Sequence, residues 1–116
     1  MSYSEKLQRT IIEWKQEPIG DEWLFDRFRR DCIISMTPEE AFDAIDETVE
    51  VLVGETDSST IVELTQCLIT LARQSQTTQT PRSISENRNV MKLLVLEKDN
   101  YVTEKMQELL RYYRLT

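Results

Sequence analysis

The sequence predicts an all-α domain, and three observations carry that expectation. Apolar residues recur at three- and four-residue spacing along most of the chain. Glycine and proline number only two and three, too few to supply the turns of a β fold. The segment Thr37-Pro38-Glu39-Glu40 spells out a complete helix start. With 116 residues the chain has the size of one domain, 1–116. The expected architecture is a compact bundle of five to six antiparallel helices, with HEAT-type helix hairpins as a variant of that plan.

The first helix is expected from Ser4, its cap, to about Gln16, with Tyr3, Leu7, Ile11 and Trp14 on one face. Pro18-Ile19-Gly20 ends it. Asp21 then caps a second helix reaching about Ser35, with Glu22 in its first turn and Leu24, Phe25, Phe28, Cys32 and Ile33 at helical spacing. In the third, Thr37 is the N-cap, Pro38 takes the first helical position, and Glu40 completes a capping box. That helix runs to Val53, where Gly54 is placed to supply a left-handed C-cap. Asp57 or Ser58 opens a fourth helix whose stripe is Ile61, Leu64, Leu68, Leu71 and Ala72. A link this short makes the third and fourth helices an antiparallel hairpin.

The stretch from Gln74 to Ser83 is polar, contains Pro81, and has Arg82 as its one charge. It reads either as a surface connector or as a binding loop. Ser85 can cap a fifth helix through Val90, Met91, Leu94 and Val95. Val90 to Leu96 is apolar enough to be a buried strand, but no second strand is visible to pair with it, so helix is preferred. Asp99 or Asn100 separates it from a last helix, Tyr101 to about Arg114, which turns Val102, Met106, Leu109, Leu110 and Tyr113 inward. Trp14, Trp23, Phe25, Phe28 and Phe42 are expected mainly in the core, with Trp23 partly exposed at a helix start. Tyr112 and Tyr113, flanked by Arg111 and Arg114, form a packed end or a secondary binding patch.

Charge is distributed far less evenly. Between Arg30 and Arg73 there is no Lys or Arg, yet ten carboxylates: Asp31, Glu39, Glu40, Asp43, Asp46, Glu47, Glu50, Glu55, Asp57 and Glu63. The rest of the chain carries all 14 cations against 11 acids, and the whole is −7. Crowded like charges oppose folding, so this asymmetry speaks to solubility and partners rather than to the fold.

Composition also removes several chemistries. No histidine is present, which excludes imidazole acid–base catalysis, Ser–His and Cys–His nucleophile systems, and most zinc and haem sites. An acidic balance argues against nucleic acid as a partner, because phosphates need Lys and Arg. No apolar run spans a bilayer and no secretory leader opens the chain, so the expectation is a cytoplasmic protein with no membrane partner. Cys32 and Cys67 fall at apolar-facing positions and read as small core residues; a reactive thiol at either needs a nearby cation. No cofactor and no catalytic residue are assigned, and no enzymatic activity is expected.

On a helical projection of the third helix, Ala41, Phe42, Ile45, Val49 and Leu52 share one side. Glu39, Asp43, Asp46 and Glu50 share the other, with Glu40 and Glu47 at its flank. The neighbours 39/43, 43/46, 43/47, 46/50 and 47/50 are all like-charged, at roughly 0.2–0.5 kcal/mol of destabilisation each. This ridge is a solvated face partly neutralised by Arg27, Arg30 or the last helices, a docking surface for a basic partner, or a divalent-metal site. Glu39-Glu40-x-x-Asp43 imitates the first acidic pair of the all-helical nucleotide pyrophosphatases, but no second pair lies on another helix and that resemblance is rejected.

In its short, acidic, histidine-free, all-helical plan, with a hairpin over Pro38–Val53 and Ser58–Ala72, the chain resembles the small bacterial immunity proteins of toxin–immunity systems. The resemblance implies a cytosolic inhibitor that binds and neutralises one cognate toxin domain. The docking residues expected on this reading are Glu39, Asp43, Asp46, Glu47 and Glu50, with a basic protein as partner. The alternatives are a structural or regulatory helical subunit assembling through apolar surface, and a carboxylate–metal enzyme.

Overall fold

A computed structural model describes residues 2–16, 22–97 and 100–115. Every regular element among them is helical: α1 (Tyr3–Gln16), α2 (Leu24–Phe28), α3 (Pro38–Val53), α4 (Ser58–Gln74), α5 (Arg82–Glu86), α6 (Arg88–Glu97) and α7 (Asn100–Tyr112). A π turn, Arg29–Ile33, continues α2. The described residues thus hold seven α-helical segments rather than five or six, because the region around Ser85 divides in two. Val90 to Leu96 is helix, not strand.

The capping chemistry of α3 stands as the sequence indicates. Glu40 N–H donates to the Thr37 hydroxyl at 3.1 Å, and Thr37 N–H donates to the Glu40 carboxylate at 2.9 Å, leaving Pro38 where no donor is needed. Asp57 caps α4, accepting from Thr60 N–H at 3.0 Å.

Other starts and stops differ. α1 is capped by Ser2, not Ser4: Ser2 and Glu5 form the reciprocal pair, with Glu5 N–H 3.2 Å from the Ser2 hydroxyl. Ser4 already lies in the helix, and Ser2 has its own Glu three residues on. α2 begins at Leu24 with Trp23 as N-cap, so Glu22 precedes the helix; Asp21 and Pro18-Ile19-Gly20 lie outside the described residues, as does Asp99. Ser85 does not start a helix, because α5 begins after Pro81 and breaks at Asn87.

Gly54 is not left-handed. It closes α3 at φ −93° and ψ −3°, its N–H donating to the Val51 carbonyl at 3.3 Å and the Glu55 N–H to the Leu52 carbonyl at 3.1 Å in a tightened last turn. Left-handed backbone occurs instead at Gln76 and Arg114. At Arg114 the Leu115 N–H reaches the Leu110 carbonyl at 2.9 Å, a Schellman closure of α7.

α4 is the central helix. It packs on α3 as a hairpin and on α7 and the π turn on other sides. Its buried set, including Thr60, Thr65, Cys67 and Ile69 besides the predicted stripe, wraps most of its circumference, as a core helix requires. The molecule measures 36 × 34 × 19 Å, so its thin dimension admits about two helix layers. The inward residues expected on α7, Val102, Met106, Leu109, Leu110 and Tyr113, are all buried. α1 seats Leu7 and Ile11 in the core and holds α2 through an edge-on contact of Trp14 with Phe25 and a tilted one of Tyr3 with Phe28. Trp23 is 60% exposed, and Phe42 is half-buried rather than core.

Candidate functional site

The capping box and Pro38 fix where α3 begins, and that start fixes which way each later side chain faces. Ala41, Ala44, Ile45, Thr48, Val49 and Leu52 are buried. Thr48 tolerates burial because its hydroxyl donates to the Ala44 carbonyl at 2.9 Å and meets the Tyr3 hydroxyl at 2.8 Å. Ala44 and Thr48 widen the inward face beyond the stripe legible in the sequence. The opposite face carries Glu39, Asp43, Asp46, Glu47 and Glu50, all exposed.

The ten carboxylates of the acidic segment divide by what holds them. Glu63 is ion-paired with Arg29 at 3.1 Å and Glu55 with Lys15 at 2.8 Å. Glu40 and Asp57 are helix caps, and their hydrogen bonds hold both carboxyls below the usual range. For Glu40 the Thr37 N–H is the main cause; for Asp57 it is the Thr60 hydroxyl. Asp31 and the five ridge residues remain, and among the described residues no Lys or Arg comes within ion-pair distance of any of these six.

Four of the basic residues are engaged elsewhere. Arg30 pairs with Asp26 at 2.9 Å, Arg73 and Lys105 approach Glu108, and Arg82 pairs with Glu86. One link crosses to the ridge: the backbone N–H of Ser83 donates to Asp46 at 3.2 Å, and the Asp46 charge is felt at Arg82. Asp46 therefore anchors the start of α5 to α3, and it is the least free of the five.

At the N-terminal end of the ridge, Glu39, Phe42 and Asp43 face Ser75, Thr77 and Gln79 across a shallow notch of about 310 Å³. The connection 75–81 is thereby brought beside the acids. It is tied to α7 by the Tyr112 hydroxyl, which lies 2.8 Å from the Ala72 carbonyl and 3.1 Å from that of Thr77. Tyr112 and Tyr113 pack edge-on, and Tyr113 is buried, so this aromatic pair closes the end of the fold.

The two cysteines are placed against reactivity. Burial pushes the Cys67 thiol up to about 12 and also raises that of the half-buried Cys32. Neither is poised as a thiolate at neutral pH. Among the described residues no group of three or more Cys, Asp or Glu is arranged to hold a metal ion. Among the described residues no helix is long and apolar enough to cross a membrane.

Sequence reasoning overlooked a second polar site, where Arg29 lies between Glu63 and Asp26 beside Arg30 and Lys105. Its parts come from three separated segments, and nothing in the local spacing joins them. Compared with protein-family models, with curated proteins and with solved structures, the chain matches none of them.

Proposed function

We propose that the protein is a non-enzymatic binding protein of the immunity or inhibitor type, which docks the outer face of α3 on a basic partner such as a toxin domain. The observation that supports this reading is the ridge itself. Glu39, Asp43, Asp46, Glu47 and Glu50 are exposed on one helix face, with no ion pair to a described residue. A cationic surface relieves their mutual repulsion, steers encounter, and gains carboxylate partners already held on a rigid helix. Phe42, half-buried in the notch beside Glu39 and Asp43, adds an apolar contact at one end. The hairpins α3–α4 and α6–α7 suit a HEAT-type arrangement that presents helix faces in this way.

The test is association with purified basic toxin domains, measured by stopped flow across a salt series. The substitutions are Asp43→Lys and Glu50→Lys, since neither residue makes a structural hydrogen bond with a described residue. The double variant is expected to associate roughly tenfold more slowly with a flatter salt dependence. An unchanged rate and slope removes the ridge from the interface.

A second reading, a helical subunit that assembles through apolar surface, is favoured by α6. Val90, Leu93 and Leu96 are 39%, 51% and 79% exposed, and they follow one another at three-residue steps along one side of that helix. Light scattering distinguishes the two: a stable homodimer supports assembly, and a monomer at high concentration favours the docking reading.

A further inference from the structure

We propose that the groove between the π turn, α4 and α7 binds a small monocarboxylate carrying a short apolar chain. None of its lining residues lies on α3, so this site is independent of the acidic ridge. Its volume is about 510 Å³, within the range of small-molecule sites.

The π turn shapes one wall. The Ile34 N–H bonds to the Arg29 carbonyl five residues back, at 3.2 Å, which widens the helix where Arg29 and Arg30 leave it. Single π turns inside helices occur disproportionately at functional sites. Arg29 is held rigidly for a surface cation. Its side chain is 15% exposed, and one terminal nitrogen donates to the Glu63 carboxylate at 3.1 Å and reaches the Glu63 carbonyl at 3.5 Å. Its other terminal nitrogen lies 4.0 Å from Asp26, beyond hydrogen-bond reach, and retains donor capacity toward the groove.

The charge count selects the ligand. Arg29, Arg30 and Lys105 line the groove against Asp26 and Glu63, an excess of one positive charge among the lining residues; Glu108, off the groove, approaches Lys105 only at 3.8 Å and is shared with Arg73. That excess suits a monoanion, and a guanidinium fork matches the planar carboxylate. Part of the wall is apolar: Ile34, 57% exposed, and the half-buried Val62 line the same groove. An ion alone makes no use of that wall, whereas an alkyl chain attached to the carboxylate covers it. Gln66 and Thr70 complete the lining with polar side chains.

The experiment titrates octanoate, its neutral counterpart octanamide, and inorganic phosphate into the full chain. It follows backbone amide shifts by NMR and affinity by calorimetry. Saturable octanoate binding is expected, with shifts confined to residues 26–34, 62–70 and the neighbourhood of 105. Octanamide and phosphate should each bind at least about tenfold more weakly, for want of the charge and of the chain respectively. The Arg30→Ala, Lys105→Ala double variant leaves the Arg29–Glu63 pair intact, and its thermal unfolding verifies the fold. It should lose roughly tenfold in octanoate affinity. Equal binding of octanamide, tighter binding of phosphate, shifts elsewhere, an unaffected double variant, or no saturation at millimolar octanoate would each overturn the assignment.

Discussion

Gly54 ends α3 at φ −93°, a backbone angle open to any residue, and a Cβ placed on it meets the Val51 carbonyl oxygen at an ordinary 3.8 Å. Gln76, by contrast, follows α4 at φ +58°, where a side chain is strained and glycine is not. The freedom of glycine is thus spent where it is unneeded and missing where it would help. Gly54→Ala is expected to stabilise the fold by about 0.4–1 kcal/mol, through the smaller entropy of the unfolded chain. Gln76→Gly is expected to stabilise by about 0.5–1 kcal/mol, the relief of left-handed strain less the added entropy of glycine. Urea denaturation followed by circular dichroism measures both. Destabilisation by Gly54→Ala would mean that the turn at residue 54 departs from its right-handed form.

At the scale of elements, the link between α3 and α4 is where charge and structure meet. Glu55 is partly buried, which raises its pKa, but bonds from Lys15 at 2.8 and 2.9 Å and from the Thr56 and Asp57 N–H groups outweigh burial and leave it lowered. Asp57 is lowered by the Thr60 hydroxyl, then by the Ser59 hydroxyl and the Thr60 N–H. Two carboxylates depressed on folding contribute stability above their unfolded pKa, about 4, and lose it as pH falls through the lower folded values. The Glu55→Gln, Asp57→Asn variant should therefore be less stable than the parent at pH 7. The gap should close as pH drops from about 5 toward 2, read from urea midpoints at each pH. A gap that persists at low pH would show that packing rather than ionisation sets it.

These same elements show what the sequence could and could not reveal. The α3 cap was legible because its four residues are contiguous and each has one evident job. The faces of α1, α3, α4 and α7 were legible because burial follows helical period. The cap of α1 differs from expectation because Ser2 and Ser4 offer the same capping hydroxyl, and only the reciprocal Glu5 selects the first. The π turn has no periodic signature, and the Arg29–Glu63 pair joins residues 34 apart. Neither the groove nor the partners of Glu55 could be read from spacing alone. The acidic ridge was fully visible, because it lies on one helix.

Across the whole molecule, the charges sort into an answered set and an unanswered one. Glu55 and Glu63 are paired across the fold, while the α3 ridge has neighbours of its own sign at 39/43, 43/46, 43/47, 46/50 and 47/50. Asp43 and Glu50 between them belong to all five pairs. Neutralising only these two, as Asp43→Asn and Glu50→Gln, removes every one of those repulsions and leaves the Asp46 bond to Ser83 in place. At about 0.2–0.5 kcal/mol per pair, the double variant should gain about 1–2.5 kcal/mol at low ionic strength. The gain should shrink in about 1 M salt, where screening acts over roughly 3 Å rather than roughly 30 Å. Denaturation of parent and variant at both salt concentrations measures it. If the two are equally stable at low salt, cations within the protein already balance the ridge, and a basic partner has no repulsion left to relieve. If the variant is more stable and also loses its basic partner, the parent retains a destabilising face for the sake of binding.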